Sequence, residues 1–389
     1  MTSSITSHQR VQAAWDLTAA DRVPTAPLHI YIIGYLAGLT VRETIRDPEK
    51  VLGALLSCYK RGLLGDAQHP LTTGCAHMWM LPKCGWEMTC LDWRVYDEFP
   101  PAGNIPSFYE KVIFDDYDDV MERGFSSLMF SPKIAANGIH TRSVDEFLYY
   151  QFEFTKDWGK MWKRFYEETG IPLTYSGRAG HPLDMLQSYR GINGLVSDLY
   201  ERPEKVKEFM EWWAEWEVIN THWECMQMGA GELPGADVAF LYNGAPPGTP
   251  PDMYREFYSP IAKKMIDMFV ARGLKVWLHF DNDQTPHLDE IKSWAEGVPR
   301  GRLCLDTEKT DMKRAKEVLG GTMALCGNVP SALLVYGTPE EVDAYCKKLI
   351  EDCGPGGGYF LGVECETPWN SKPENVKAMM DAPKKHAAW

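Results

Sequence analysis

The feature that most constrains this chain is an alternation of short apolar runs with longer helical stretches. Runs that read as strands are Val23–Ile33, Ser126–Ser131, Ile171–Ser176, Ala236–Tyr242, Leu274–Phe280, Arg302–Leu305, Thr322–Leu325 and Tyr359–Val363. Helical spacing separates nearly all of the later ones, over Glu146–Thr169, Pro203–Met228, Pro251–Arg272, Thr285–Glu296, Asp311–Leu319 and Pro339–Asp352. Strands alternating with helices predict a parallel sheet with right-handed crossovers. About eight such units in one chain of 389 residues favour a closed α/β barrel over an open sheet. Nearer the start, Gln9–Leu17 has helical spacing, Thr40 is a candidate N-cap for Val41–Ile45, and Asp47-Pro48-Glu49 opens a helix running to Leu64.

In such a barrel, chemistry gathers at the carboxyl ends of the strands. Those ends here carry Arg178 and His181, Tyr242 and Asn243, His279 and Asp281, Asp306 and Glu308, Cys326 and Asn328, and Glu364-Cys365-Glu366. His279 and Asp281 are two residues apart, so they project from the same side of one strand end. A His-x-Asp pair placed there can bind a metal or handle a proton, or simply cap the strand. Asp237 is either a strand-end acid near the substrate or a helix cap. Tyr242 and Asn243 occupy positions where barrels contact ligands, although Asn before Gly is also an ordinary turn. His181 and Arg178 read as rim contacts or solvated loop residues, and Cys326 reads as packing.

Residues 71–106 are rich in Gly, Pro, Trp and Cys without sustained periodicity. A stretch of this kind is an irregular insertion: a lid, a surface excursion or a subunit contact. Trp79, Trp86 and Trp93 make it a candidate aromatic cover over the mouth, with a homodimer left open. The Gly354-Pro-Gly-Gly-Gly358 run precedes a strand instead of joining strand to helix, so it reads as a turn and not a phosphate loop.

A net charge of −14 argues against nucleic acid as a partner. No stretch approaches the apolar length of a membrane span, and the N-terminus has no apolar signal core. The 10 cysteines lack a C-x-x-C pair, so they are expected to be reduced and the chain cytoplasmic. The 14 Trp, 18 Tyr, 15 Phe and 18 Met suit a pocket for a flat, apolar ligand.

The order of several motifs adds a further expectation. They are Asp21-Arg-Val-Pro24, Gly191-Ile-Asn-Gly-Leu-Val-Ser-Asp-Leu199, Pro203-Glu-Lys-Val206, Gly229-Ala-Gly-Glu-Leu-Pro-Gly-Ala-Asp237, and Pro251–Pro260 with Tyr254, Arg255 and Phe257. Gly273–His279, Cys326-Gly-Asn-Val-Pro330, Gly337-Thr-Pro-Glu-Glu-Val342 and Pro373-Glu-Asn-Val-Lys-Ala-Met379 complete the set. In these the chain resembles the uroporphyrinogen decarboxylase-like superfamily, and more closely its corrinoid-dependent methyltransferase branch of the O-demethylase type. The resemblance implies a single (β/α)8 TIM barrel with an N-terminal extension, occupying 1–389 as one domain.

It also implies that true decarboxylases carry an arginine-rich motif where this chain has Pro27-Leu-His-Ile-Tyr-Ile-Ile-Gly-Tyr35, without arginine. A polycarboxylate needs a cationic clamp. Thiol methyltransferases of the superfamily hold zinc with a His-x-Cys pair and a distant Cys, positions that match His279, Asp281 and Cys365 here. A carboxylate in place of one thiolate makes a harder Lewis acid, better suited to an ether oxygen than to a thiol. Either Glu364 or Glu366 is an alternative carboxylate ligand. The resemblance thus implies a methyltransferase that moves a methyl group from a methoxylated, aromatic donor to the reduced cobalt of a separate corrinoid protein. In this reading His279, Asp281 and Asp237 are catalytic, and Tyr242, Asn243, Trp79, His181, Arg178 and Asn328 bind substrate. Alternatives are a cofactor-free decarboxylase of a non-porphyrin acid, a transferase from methylcorrinoid to another acceptor, and a non-catalytic barrel.

Overall fold

The computed structural model describes residues 5–40, 43–44, 47–70, 116–124, 155–242, 244–245 and 248–386. Its centre is one parallel sheet in sequential order: β1 (Gly177–Gly180), β2 (Val238–Tyr242), β3 (Lys275–Phe280), β4 (Leu303–Thr307), β5 (Ala324–Val329) and β6 (Tyr359–Val363). Every residue of β2, β4, β5 and β6 is buried, the pattern of strands covered on both faces. Helices between the strands supply the outer cover.

The sheet ladder ends at β1 and β6, and single parallel bridges carry the path back around. Thr25 bridges Leu361 and Leu28 bridges Glu366, while Gln68 bridges Leu173 in the lead-in to β1. Between these, the amides of Asp66 and Ala67 donate to the carbonyl of Thr25. Residues 24–28 and 66–68 thus act as the remaining staves of an α/β barrel. The expected strand Val23–Ile33 is reduced to two bridges because Pro24 and Pro27 lack amide donors, and Ile32–Leu36 turns into a helix. Similarly, the expected strand Ile171–Ser176 is only a lead-in, and the ladder begins at Gly177.

The helices begin and end where their caps dictate. Pro203–Met228 starts with a proline in its first turn and stops at Gly229 in left-handed conformation. Glu217 and Glu224 on its buried face accept the amides of Gly180 and Arg178, so β1 is pinned to this helix. Pro339–Cys353 opens on a capping box between Thr338 and Glu341. The expected helix Pro251–Arg272 is divided instead: a helical turn Pro251–Met253, a π-helical turn Tyr254–Tyr258, then Ser259–Ala271. Such π turns are local widenings often found at functional sites. The expected strand Ser126–Ser131, the helix Val41–Ile45 in most of its length, the start of Glu146–Thr169, and the insertion 71–106 lie outside the described residues.

Gly235 makes the entry to β2. It has φ +86, and a Cβ there would sit inside the carbonyl of Leu173. Only glycine fits such an approach without displacing the lead-in to β1.

Candidate active site

Register places the key side chains at one height. Tyr242 pairs with His279, His279 with Asp306, and Asp306 with Cys326. His279 is thus the penultimate residue of β3, with Asp306 beside it on β4. Its Nδ1 donates to Asp306 Oδ2 at 2.7 Å, and the same oxygen accepts from Trp277 Nε1 at 3.0 Å. That carboxylate fixes the ring and leaves Nε2 facing the mouth. Phe240 stacks on the imidazole with centroids 5.1 Å apart.

Nε2 meets two further groups. Cys365 Sγ lies at 3.7 Å and Asp281 Oδ1 at 3.6 Å. Among the described residues, ligand atoms of His279, Asp281 and Cys365 all fall within 4.8 Å of one another. The imidazole is only 6% exposed, whereas the Asp281 side chain is 39% exposed. One side of the cluster is therefore open to an incoming molecule.

The donor set fits a zinc ion. With zinc–nitrogen and zinc–oxygen bonds of about 2.0–2.2 Å and a zinc–sulfur bond of about 2.3 Å, tetrahedral ligands sit roughly 3.4–3.6 Å apart. The two separations at Nε2 are close to that without rearrangement. Asp306 behind the ring has the place of the carboxylate that orients and strengthens a metal-bound histidine.

Without metal, the cluster is an ion pair. Burial works against the charged imidazole, but the charge of Asp306 and bonds to Asp281, Asp306 and Cys365 raise its pKa well above 6.5. Burial also opposes the charged form of Asp281, yet His279 outweighs it and holds that carboxyl below its usual value. The Cys365 thiol is pushed up to about 12 by burial and by the charge of Asp281. Burial alone lifts Glu366 to about 7.

Three loops hold this arrangement. After β3, Asn282 adopts φ +71, a conformation its short polar side chain tolerates. Its amide donates to Glu308 at 2.9 Å, and the amide of Gln284 donates to Thr310 Oγ1 at 2.9 Å. Asn328 on β5 gives its amide hydrogens to the carbonyls of Glu308 and Thr310, both at 3.0 Å.

Not every residue expected at the mouth lies there. Asp237 sits ahead of β2, where its carbonyl accepts from Lys275 at the start of β3. That is the opposite end of the barrel from His279, so this acid is removed from the catalytic set. His181 is fully buried: its Nδ1 caps the helix Pro182–Arg190, Nε2 donates to the Tyr258 carbonyl, and the ring stacks on Tyr258. Burial lowers its pKa to about 3, which makes it a neutral structural residue and not a rim contact. Asn328 ties loops together. Glu364 accepts from the amide of Ser331, away from the ligand role considered for it. Arg178 and Tyr242 do come together, with the guanidinium 4.9 Å over the phenol ring. Asn243 and Trp79 lie outside the described residues.

Sequence reasoning placed Asp306 among the strand-end groups without a specific role and gave none to Phe240. For Asp306 a signal existed, since it ends an apolar strand adjacent to the His279 strand. The stacking of Phe240 depends on packing that no linear pattern encodes.

A solved structure agrees with this fold. A solved methyltransferase from Methanosarcina mazei has a TM-score of 0.65 at 18% identity, covering 99% of this chain and 100% of that one. A B12-independent methionine synthase from Shewanella sp. W3-18-1 reaches a TM-score of 0.37 at 12% identity, covering 60% and 66%. By sequence, a uroporphyrinogen decarboxylase from Pseudoalteromonas atlantica is 32% identical over 82 residues, 20% of this chain and 22% of that protein. The chain thus matches only about a fifth of that relative's length. The family model described as Uroporphyrinogen decarboxylase (URO-D) matches residues 160–386, and the chain belongs to that family.

Proposed function

We propose that this protein is a methyltransferase that cleaves a methyl ether, passing the methyl group to the reduced cobalt of a separate corrinoid protein. The observation that carries the reading is the convergence of His279 Nε2, Asp281 Oδ1 and Cys365 Sγ at one open strand-end cluster. The methyltransferase fold neighbour and the absence of arginine from Pro27–Tyr35 support it over decarboxylation of a polycarboxylate. The aromatic-rich composition favours a methoxylated aromatic donor.

His279, Asp281 and Cys365 would hold a zinc ion, with Asp306 fixing the histidine. Bound there, zinc supplies Lewis-acid activation of the ether oxygen, which is otherwise a poor leaving group. The balance of the reaction is simple. The cobalt(I) electron pair forms the cobalt–carbon bond, the methyl carbon–oxygen bond breaks, and the oxygen leaves with both its electrons and takes a proton. Asp281, whose side chain is 39% exposed, is the ligand that an incoming ether oxygen would approach. In the metal-free state the protonated His279 is itself a donor for that oxygen, held charged by Asp306, and general acid catalysis is worth about 10²–10⁴-fold.

The test is incubation with cob(I)alamin and a panel of methoxylated aromatics, followed spectroscopically, with His279→Ala as control. Wild type is expected to form methylcobalamin and a phenol, and the variant to fall by at least about 10²-fold with its fold retained. Carbon dioxide release from a carboxylic acid, with no methylation from any donor, would establish the decarboxylase alternative instead.

A further inference from the structure

One buried side-chain amide joins the loops that follow β2 and β3, and it takes no part in the chemistry above. Gln284 lies three residues beyond Asp281 and is 1% exposed. Its backbone is anchored on both sides: the amide donates to Thr310 Oγ1 at 2.9 Å, and the carbonyl accepts from the amide of His287 at 2.9 Å. From this fixed base the side chain reaches two carbonyls. Nε2 donates to the Asp281 carbonyl at 3.0 Å and to the Gly244 carbonyl at 3.2 Å. Carbonyls accept only from the nitrogen end, so the orientation of the amide is set, and Oε1 is buried without a partner.

Both carbonyls stand directly before a residue in the left-handed region. Gly244 precedes Ala245 at φ +76, and Asp281 precedes Asn282 at φ +71. Residues other than glycine adopt that region rarely, so each turn depends on bonds from outside it. The peptide between Asp281 and Asn282 is held at both ends, its carbonyl by Gln284 and its amide by Glu308 at 2.9 Å. The peptide before Asp281 is held too, because the Phe280 carbonyl accepts from the Glu308 amide at 3.2 Å. Peptide units are rigid planes, and fixing the planes on both sides of Asp281 fixes the direction its side chain takes. That carboxylate lies 3.6 Å from His279 Nε2. The loop after β2 presses on the same amide: a Cβ on Gly244 would lie 2.6 Å from Gln284 Nε2 and 2.7 Å from Phe280 Cβ.

We propose that Gln284 is the positioning residue for the carboxylate of the His279–Asp281–Cys365 cluster. Its amide holds Asp281 where it can serve as a ligand, and ties that ligand to the loop after β2. This rests on the metal-centre reading above. His279 is oriented separately, by Asp306, and Cys365 follows β6, so loss of the amide should release one ligand of the three. A packing role alone would be met by methionine, which is similar in length and has no polar atoms to bury.

The experiment is a double-mutant cycle in zinc affinity, measured by competition with a chromophoric chelator on wild type, Gln284→Met, Asp281→Ala and the pair, with circular dichroism to verify the fold. Gln284→Met should weaken zinc by about tenfold or more, the scale on which metal sites respond to loss of an outer partner. In the Asp281→Ala background the same substitution should change affinity by less than about twofold, since the ligand through which it acts is gone. Gly244→Ala, which displaces the amide without altering Gln284, should repeat both results, and it carries the test where Gln284→Met fails to fold. Equal losses with and without Asp281 would mark a general structural role and overturn the proposal, as would unchanged affinity in both variants. A crystal structure of metal-free Gln284→Met gives a readout independent of zinc: Asp281 Oδ1 should lie well beyond its 3.6 Å from His279 Nε2. Wild type that binds no zinc, with Asp281 displaced in the variant, would uphold the positioning role and remove the metal reading alone. An unmoved Asp281 would overturn the positioning role.

Discussion

Asp306→Asn is the perturbation that most directly separates a metal centre from a fortuitous cluster. The side chain is 3% exposed and nearly isosteric after substitution, so packing changes little. What changes is the acceptor that holds His279 Nδ1 at 2.7 Å and Trp277 Nε1 at 3.0 Å. Both donors point at the same oxygen, Oδ2, so an amide oxygen there can still accept from both, and what is lost is the negative charge behind the imidazole. Mutating the partner that orients a metal-bound histidine typically costs about 10–100-fold in metal affinity, or roughly 1.4–2.7 kcal/mol. Competition for zinc against a chromophoric chelator measures this, with far-UV circular dichroism to verify the fold. A second signature belongs to the metal-free protein. His279 should stay protonated above neutrality in wild type, because its pKa is raised well above 6.5, and should titrate nearer that ordinary value in the variant, as read by nuclear magnetic resonance. Unchanged zinc affinity together with an unchanged imidazole titration would refute the role given to Asp306.

Two further outcomes concern the scaffold. Gly235→Ala forces a left-handed φ of +86 on a residue with a Cβ and drives that atom into the Leu173 carbonyl, so a loss of about 2 kcal/mol or more should appear as a lower Tm with activity retained below it; an unchanged Tm would contradict the packing described. The buried His29, lowered to about 4 by desolvation, has a folded pKa below its unfolded value of 6.5, so the unfolded chain binds the extra proton. Stability should be level above pH 6.5 and fall as pH drops towards 4, by about 2 kcal/mol at pH 5 from this residue alone. Urea unfolding of His29→Gln should show a shallower fall than wild type, and identical slopes would contradict the assignment.

Much of the architecture was legible because strands buried on both faces are written as continuous apolar runs. Tyr359–Val363 and Pro203–Met228 have the bounds their patterns predict. The first staves were not legible, since Pro24 and Pro27 leave single bridges where an apolar run suggested a strand. The His279–Asp281 pair was visible through strand parity, and Cys365 through the resemblance to relatives. Asp237 failed because a residue before β2 and a residue after it look alike when a strand's start is uncertain by a few positions. His181 failed because exposure cannot be read from a motif: the same histidine that resembles a rim contact is stacked under Tyr258.

The measurement that bears most directly on the central claim is zinc X-ray absorption on the purified protein and on Asp281→Cys, with metal content determined alongside. The account predicts one zinc per chain bound by one sulfur and otherwise nitrogen and oxygen, rising to two sulfurs in the variant while ether cleavage falls. A wild-type site without sulfur, or a variant whose sulfur count does not change, would contradict a centre built from His279, Asp281 and Cys365.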